Sequence, residues 1–315
     1  MFGRTRKASA AGWTAIEASP EGILGVSVRA PASARAKPQV VKCAQLAETE
    51  LDSASLSQLA KKVATAGFNW TLPLNRGDYK IFVVPQPAVD PSELAQSVRW
   101  SLGPMLDFPV EEAAVDWMSI PTAQLPQRPP HIYVIAAHRD VVNSRAEVFK
   151  KNKIPLTAVD VRETAQRNIA LRLQEPGEGL GMVALNNRGV QITFTYGGEL
   201  YLDRYIEESL EALMTGDEEA RERVLDRITL QLQRSIDFMN RTYPFITISR
   251  IVLAPMPAPL PLREYLAANV TERVEVVDLA RLFDFSQTPE LTEEEVQSRY
   301  FTALGAALRG MESAA

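Results

Sequence analysis

Residues 182–204 read MVALNNRGVQITFTYGGELYLDR. Three short runs rich in β-branched and aromatic residues, 182–185, 190–196 and 200–204, are parted by Asn186-Asn187-Arg188-Gly189 and by Gly197-Gly198-Glu199. Glycine and asparagine supply the positive-φ positions that tight hairpins need, so the stretch predicts a three-stranded meander. Helical patterning lies on both sides, over 161–173 and over 206–242. A meander set between helices at mid-chain predicts that a second α/β half begins here.

The first half has the same order. Residues 13–18 and 23–29 are β-rich runs joined by Ser19-Pro20-Glu21-Gly22, a turn signal, and 40–46 reads as a third strand. Leu56, Leu59 and Val63 recur at helical spacing, and the helix they predict ends near Gly67. Further strands are predicted at 79–84, 115–120 and 132–136, helices at 94–100 and 140–151. His138, at a strand-to-helix turn, is expected to take a capping or a surface role rather than a catalytic one, and Asp160 to cap the helix 161–173. Past the meander, 246–253 and 274–277 read as strands. Thr292 and Glu295 have capping-box spacing for a last helix, 293–309.

Composition narrows the function. Apolar residues make up 46% of 315 and charged residues 23%, as in water-soluble globular chains. The net charge of −5 gives no footprint for nucleic acid. One cysteine, Cys43, excludes an internal disulfide, and two histidines with it make a poor zinc set. No apolar run reaches the roughly 18–20 residues of a membrane span. Arg4, Arg6 and Lys7 read as a solvated basic tail, with weak contact to anionic lipid as the rival reading. These features together predict a cytoplasmic protein.

Four stretches resemble the PilM group of pilus-assembly proteins, most closely the MshI type of mannose-sensitive haemagglutinin pilus systems. They are VRWSLGPMLDFPVEEAAVDWMSIP (98–121), IYVIAAHRDVVNSRAEVFKKNKIPLTAVDVRETAQRNIA (132–170), LQLQRSIDFMNRTYPFITISRIVLA (230–254) and YFTALGAALR (300–309). The resemblance implies an α/β, actin-like (ribonuclease H-like) fold of two lobes. The first lobe would cover 1–175 with an inserted subdomain at about 87–157, and the second 176–290. Residues 291–315 would form a helix closing back on the first lobe. It also implies a place at the inner face of the inner membrane, among other pilus assembly components. The partner would be the N-terminal cytoplasmic tail of a PilN-like bitopic protein, with 79–84, 115–120 and 132–136 as candidate walls of its groove.

The same resemblance locates a nucleotide site, and there the residues depart from it. Active relatives place a carboxylate, then glycine and a lysine, on the first hairpin turn. Here Glu17 keeps the acid, Ser19 stands for the close-approach glycine, Pro20 brings no N–H, Gly22 follows, and Leu24 replaces the cation. Glu21 adds negative charge. The second turn reads Ala184-Leu185-Asn186-Asn187, with alanine for the carboxylate and asparagine for the glycine. The third, 254–259, holds three prolines where glycines belong. Glu17 is therefore expected to be an exposed hairpin carboxylate, with a magnesium role as its rival reading. Asn186 and Asn187 are expected to serve as turn residues. The expectation is a non-catalytic scaffold with no cofactor. The alternatives are a residual Mg-ATP-binding ATPase and a type II secretion cytoplasmic domain of the GspL kind. That last relative normally runs on into a membrane helix, whereas this chain ends at Ala315 after a polar tail.

Overall fold

The computed structural model describes residues 11–19, 21–33, 36–122, 129–186, 189–208 and 210–311. Two five-stranded sheets carry the architecture. The first is built from β1 (Gly12–Ser19), β2 (Gly22–Arg29), β3 (Gln39–Leu46), β4 (Asn69–Pro73) and β8 (Leu156–Asp160), in the order β3-β2-β1-β4-β8. β4 runs parallel to both β1 and β8. β4 is a central strand that the sequence reading did not contain, since Pro73 and the polar run after it masked a five-residue segment. The helix α1 (Ser53–Val63) covers one face. Its N-terminus is closed by a capping box between Asp52 and Ser55. Ile16, Leu56, Leu59, Trp70, Leu72 and Phe149 form the core beneath it. Within that core, Thr14 and Ser27 share a 2.7 Å hydrogen bond, and the Ser27 hydroxyl donates to the Val63 carbonyl at 2.6 Å. Two buried hydroxyls thereby satisfy each other and a helix end.

Between β4 and β8 the chain makes a separate three-stranded antiparallel sheet. It holds β5 (Tyr79–Pro85), β6 (Ala113–Ile120) and β7 (His131–His138), in the order β5-β7-β6. The three segments expected to wall a groove are thus neighbours in one sheet. This subdomain starts at Tyr79 and not near residue 87, because β5 pairs along its whole length with β7. Alternation splits its side chains. Phe82, Val84, Val98, Leu102, Ile132 and Val134 pack on one side with α2 (Leu94–Ser101), and Tyr79, Ile81, Ile135 and Ala137 pack on the other. The latter side meets Val141 and Val142 of α3 (Arg139–Lys151). His138 caps α3 as expected, its Nδ1 accepting the Asp140 N–H at 3.2 Å. α3 ends with Lys153 in the left-handed region at φ 58°. There the Ile154 N–H donates to the Phe149 carbonyl and the Lys153 N–H to the Lys150 carbonyl.

The second sheet repeats the plan of the first. After α4 (Arg162–Leu173) come β9 (Gly179–Asn186), β10 (Gly189–Tyr196) and β11 (Glu199–Ile206), the predicted meander. α5 (Leu210–Thr215), α6 (Glu218–Thr242), β12 (Ile248–Leu253), α7 (Leu262–Asn269), β13 (Arg273–Val276) and α8 (Glu294–Ala307) complete it. The strand order is β11-β10-β9-β12-β13, which matches the order of the first sheet position for position. Gly197 and Gly198 have the positive φ expected of them, at 57° and 79°. Gly189 does not. Its missing Cβ instead lets the Ile206 carbonyl approach to where a Cβ would stand 2.3 Å away.

Backbone contacts divide the chain into two units, 1–27 with 42–162, and 28–41 with 163–315. The boundary lies at Arg162/Glu163, earlier than the expected 175, because α4 packs with the second sheet. There Gln166 Nε2 donates to the Met182 carbonyl at 3.0 Å and to Thr193 Oγ1 at 2.9 Å. α8 also groups with the second unit. The predicted capping box at Thr292 is absent. Pro289 opens a 3-10 turn over Pro289–Thr292, the Thr292 hydroxyl donates to the Pro289 carbonyl, and α8 begins two residues after Thr292.

Candidate functional site

The first turn closes on itself. Ser19 Oγ donates to the Gly22 carbonyl at 3.0 Å and accepts the Glu21 N–H at 3.2 Å, while Gln45 Nε2 donates to the Glu21 carbonyl. A phosphate cradle needs those N–H groups pointing outward and unspent. Gly22 sits at φ 129°, and a Cβ there would stand 2.2 Å from the Leu46 carbonyl oxygen. Its glycine serves the neighbouring strand and not a ligand. Leu24 is buried in the sheet. Pro20 lies outside the described residues.

Glu17 corrects its expectation. It is not an exposed hairpin carboxylate but 5% exposed at the end of β1. Its Oε1 lies 3.2 Å from Nη1 of Arg162, the last residue of the first unit. A buried carboxylate has to be met by a cation or by N–H donors, and here a guanidinium meets it. The Arg162 N–H in turn donates to the Tyr79 hydroxyl at 3.3 Å. Asp160 is also displaced from its predicted role. α4 starts at Arg162, and the Asp160 carboxylate accepts the adjacent Val161 N–H at 3.0 Å, so it closes β8 and does not cap the helix.

The second turn brings no acid. Ala184 is buried and faces Gln191, and Asn186 faces Gly189. Asn187 lies outside the described residues. The Gln191 amide, opposite Ala184, donates to the Asp203 carboxylate on β11. Leu185, Asn186, Val190, Leu210 and Leu213 enclose a gap with no room for a water molecule. In the third loop Ala254 and Met256 are buried. The Met256 N–H donates to Glu294 Oε1 at 3.2 Å, so this N–H of the loop is spent on the chain's own carboxylate. Sequence reasoning missed Arg162, Glu294 and the fully buried Glu163 and Gln166, for each lies far in sequence from the turn it serves or inside a helix read only for its period.

A magnesium ion needs several oxygen ligands held close together. Among the described residues no group of three His, Cys, Asp or Glu side chains is placed to hold a metal. The residues present do not fit the ion: one acid is paired with an arginine and the second is an alanine.

The subdomain is the other candidate. Val83 (52% exposed), Val89, Trp100 (67%) and Met105 are large apolar side chains left in solvent there. Val83 stands opposite Tyr133, and Met118 opposite Tyr133 on the far side, so the three make one row across the sheet. Among the described residues no helix is long and apolar enough to cross a membrane.

No family model matches the sequence, and no curated protein matches it. Solved structures do. A PilM-PilN type IV pilus biogenesis complex is similar over 96% of this chain and 99% of that one, with a TM-score of 0.74 at 16% identity. The cytoplasmic domain of EpsL, an inner membrane component of the type II secretion system of Vibrio cholerae, is similar over 90% of this chain and 93% of that one. Its TM-score is 0.50 at 12% identity. At such identities the likeness bears on fold alone, and the fold is the α/β, actin-like one, with a subdomain inserted in its first unit.

Proposed function

We propose that this chain is a non-catalytic, actin-like scaffold for type IV pilus assembly, of the MshI type. It would work at the cytoplasmic face of the inner membrane, beside other assembly components. The observation that carries the non-catalytic part is the Glu17–Arg162 ion pair; the Ser19 turn in the first unit and the Glu294 contact in the second add to it. Each turn that would hold a nucleotide is filled by the chain's own groups, and a fold confers no activity without its site.

Its partner in this reading is the N-terminal tail of a PilN-like inner-membrane protein. Val83, 52% exposed on the edge strand β5 and in a row with Tyr133 and Met118, supports an extended apolar peptide laid along that strand. Main-chain bonds to a sheet edge give such peptides affinity, and the row selects their side chains. Titration of the full chain with a labelled partner tail tests this. Saturable binding, weakened at least ~10-fold by Val83→Asp, is expected, a factor that corresponds to about 1.4 kcal/mol. No binding at high micromolar peptide contradicts it. The fold shared with the EpsL domain favours one second reading, a type II secretion partner, and binding only to such a partner's cytoplasmic segment would select it.

A further inference from the structure

Glu17 and Asp160 are buried carboxylates, 5% and 1% exposed, at the carboxyl ends of parallel strands of the first sheet. Ala15 is level with Thr71, and Pro73 with Asp160. One pleat beyond Ala15, Glu17 is therefore level with Pro73, and Glu17 and Asp160 project from the same face. Two strand spacings separate them, about 10 Å at the backbone. The carboxyl edge of an open α/β sheet is where ligands settle, and carboxylates at that edge attract a hard divalent cation.

In this chain the positive charge is already supplied. Arg162 stands two residues past Asp160, is 21% exposed, and reaches Glu17 at 3.2 Å. Its backbone is fixed by the Tyr79 hydroxyl, and the Arg76 guanidinium stacks 5.4 Å over the Tyr79 ring. We propose that the Arg162 guanidinium is a resident cation standing where a divalent metal would, so that Glu17 holds the chain and no metal. The proposal rests on the non-catalytic reading above and sharpens it. The site is closed to metal by a competing charge.

The test is a titration of the full chain with Mn²⁺ alone, without nucleotide, reading the free aquo-ion by electron paramagnetic resonance. Wild type is expected to show no saturable site up to about 1 mM, the weak end of protein cation sites. Arg162→Ala is expected to gain one site at least ~10-fold tighter than any in wild type, since Glu17 then loses the guanidinium that meets it. Glu17→Gln added to it should abolish that site, and Arg162→Lys, which keeps the charge, should not create it. A wild-type Mn²⁺ site that Glu17→Gln removes would overturn the proposal. So would a folded Arg162→Ala that binds no better than wild type. If Arg162→Ala does not fold, the double variant decides. It should refold and be at least ~10-fold more stable in its unfolding constant, because the stranded buried charge is gone; a double variant as unfolded as the single one overturns the proposal. Hydrolysis of Mg-ATP by wild type would sink the scaffold reading, whereas Mn²⁺ binding by a non-hydrolysing wild type sinks only the resident cation.

Discussion

Glu17 lies at the end of a strand flanked on both sides, and the partner that balances its charge is 145 positions away in sequence. Its acidity was legible in the sequence, but its burial was not, because burial depends on β4 and on where the chain returns after β8. Breaking a buried ion pair from one side leaves a charge without a partner and costs roughly 3–5 kcal/mol. Arg162→Ala should therefore lower the urea midpoint strongly, and Glu17→Gln/Arg162→Met should cost less than Arg162→Ala alone. Lys153 is a residue whose backbone argues for a different side chain. It takes the left-handed position of a helix end that usually holds glycine, with both characteristic hydrogen bonds made. Lys153→Gly should raise stability by about 0.5–1 kcal/mol in the same measurement, the strain relieved outweighing the added chain entropy.

At the scale of elements, the meander and the helices were readable because alternation and 3.6-residue periods are local. Pairing is not local, so the five-residue β4 and the role of β5 in the subdomain sheet appeared only in the structure. Ends were harder still, as Thr292 and Asp160 show: each hydroxyl or carboxylate had a nearer backbone group to satisfy. The crossing of α4 and α8 is set by Gly305, where a Cβ would stand 2.3 Å from the Ala165 carbonyl oxygen, and Asn168 Nδ2 donates to the Gly305 carbonyl. Gly305→Ala should cost about 1–3 kcal/mol by overpacking, read as a lower thermal midpoint. In the second unit, Tyr201 packs edge-on to Tyr243 at 4.9 Å, and burial pushes its hydroxyl up to about 12. A folded pKa above the unfolded value of about 10 stabilises fully below pH 10 and is lost as pH rises towards 12. Wild type should lose stability over that window, and Tyr201→Phe should lose less.

Over the whole molecule, the two sheets share one strand order, and that duplication was foreshadowed by the repeated hairpin, helix and strand in each half of the sequence. The departures from the family's nucleotide turns, Pro20, Ala184 and the prolines after Leu253, were legible in the sequence. The contacts of Ser19, Arg162 and Glu294 were not legible, because no spacing announces them. The central claim is that the actin-like fold persists here without its nucleotide. Thermal unfolding of the full chain with and without millimolar Mg-ATP tests it most directly. The account predicts superimposable transitions; a nucleotide-dependent rise, worth about 2.7 kcal/mol for a ligand at 100 times its Kd, would contradict it.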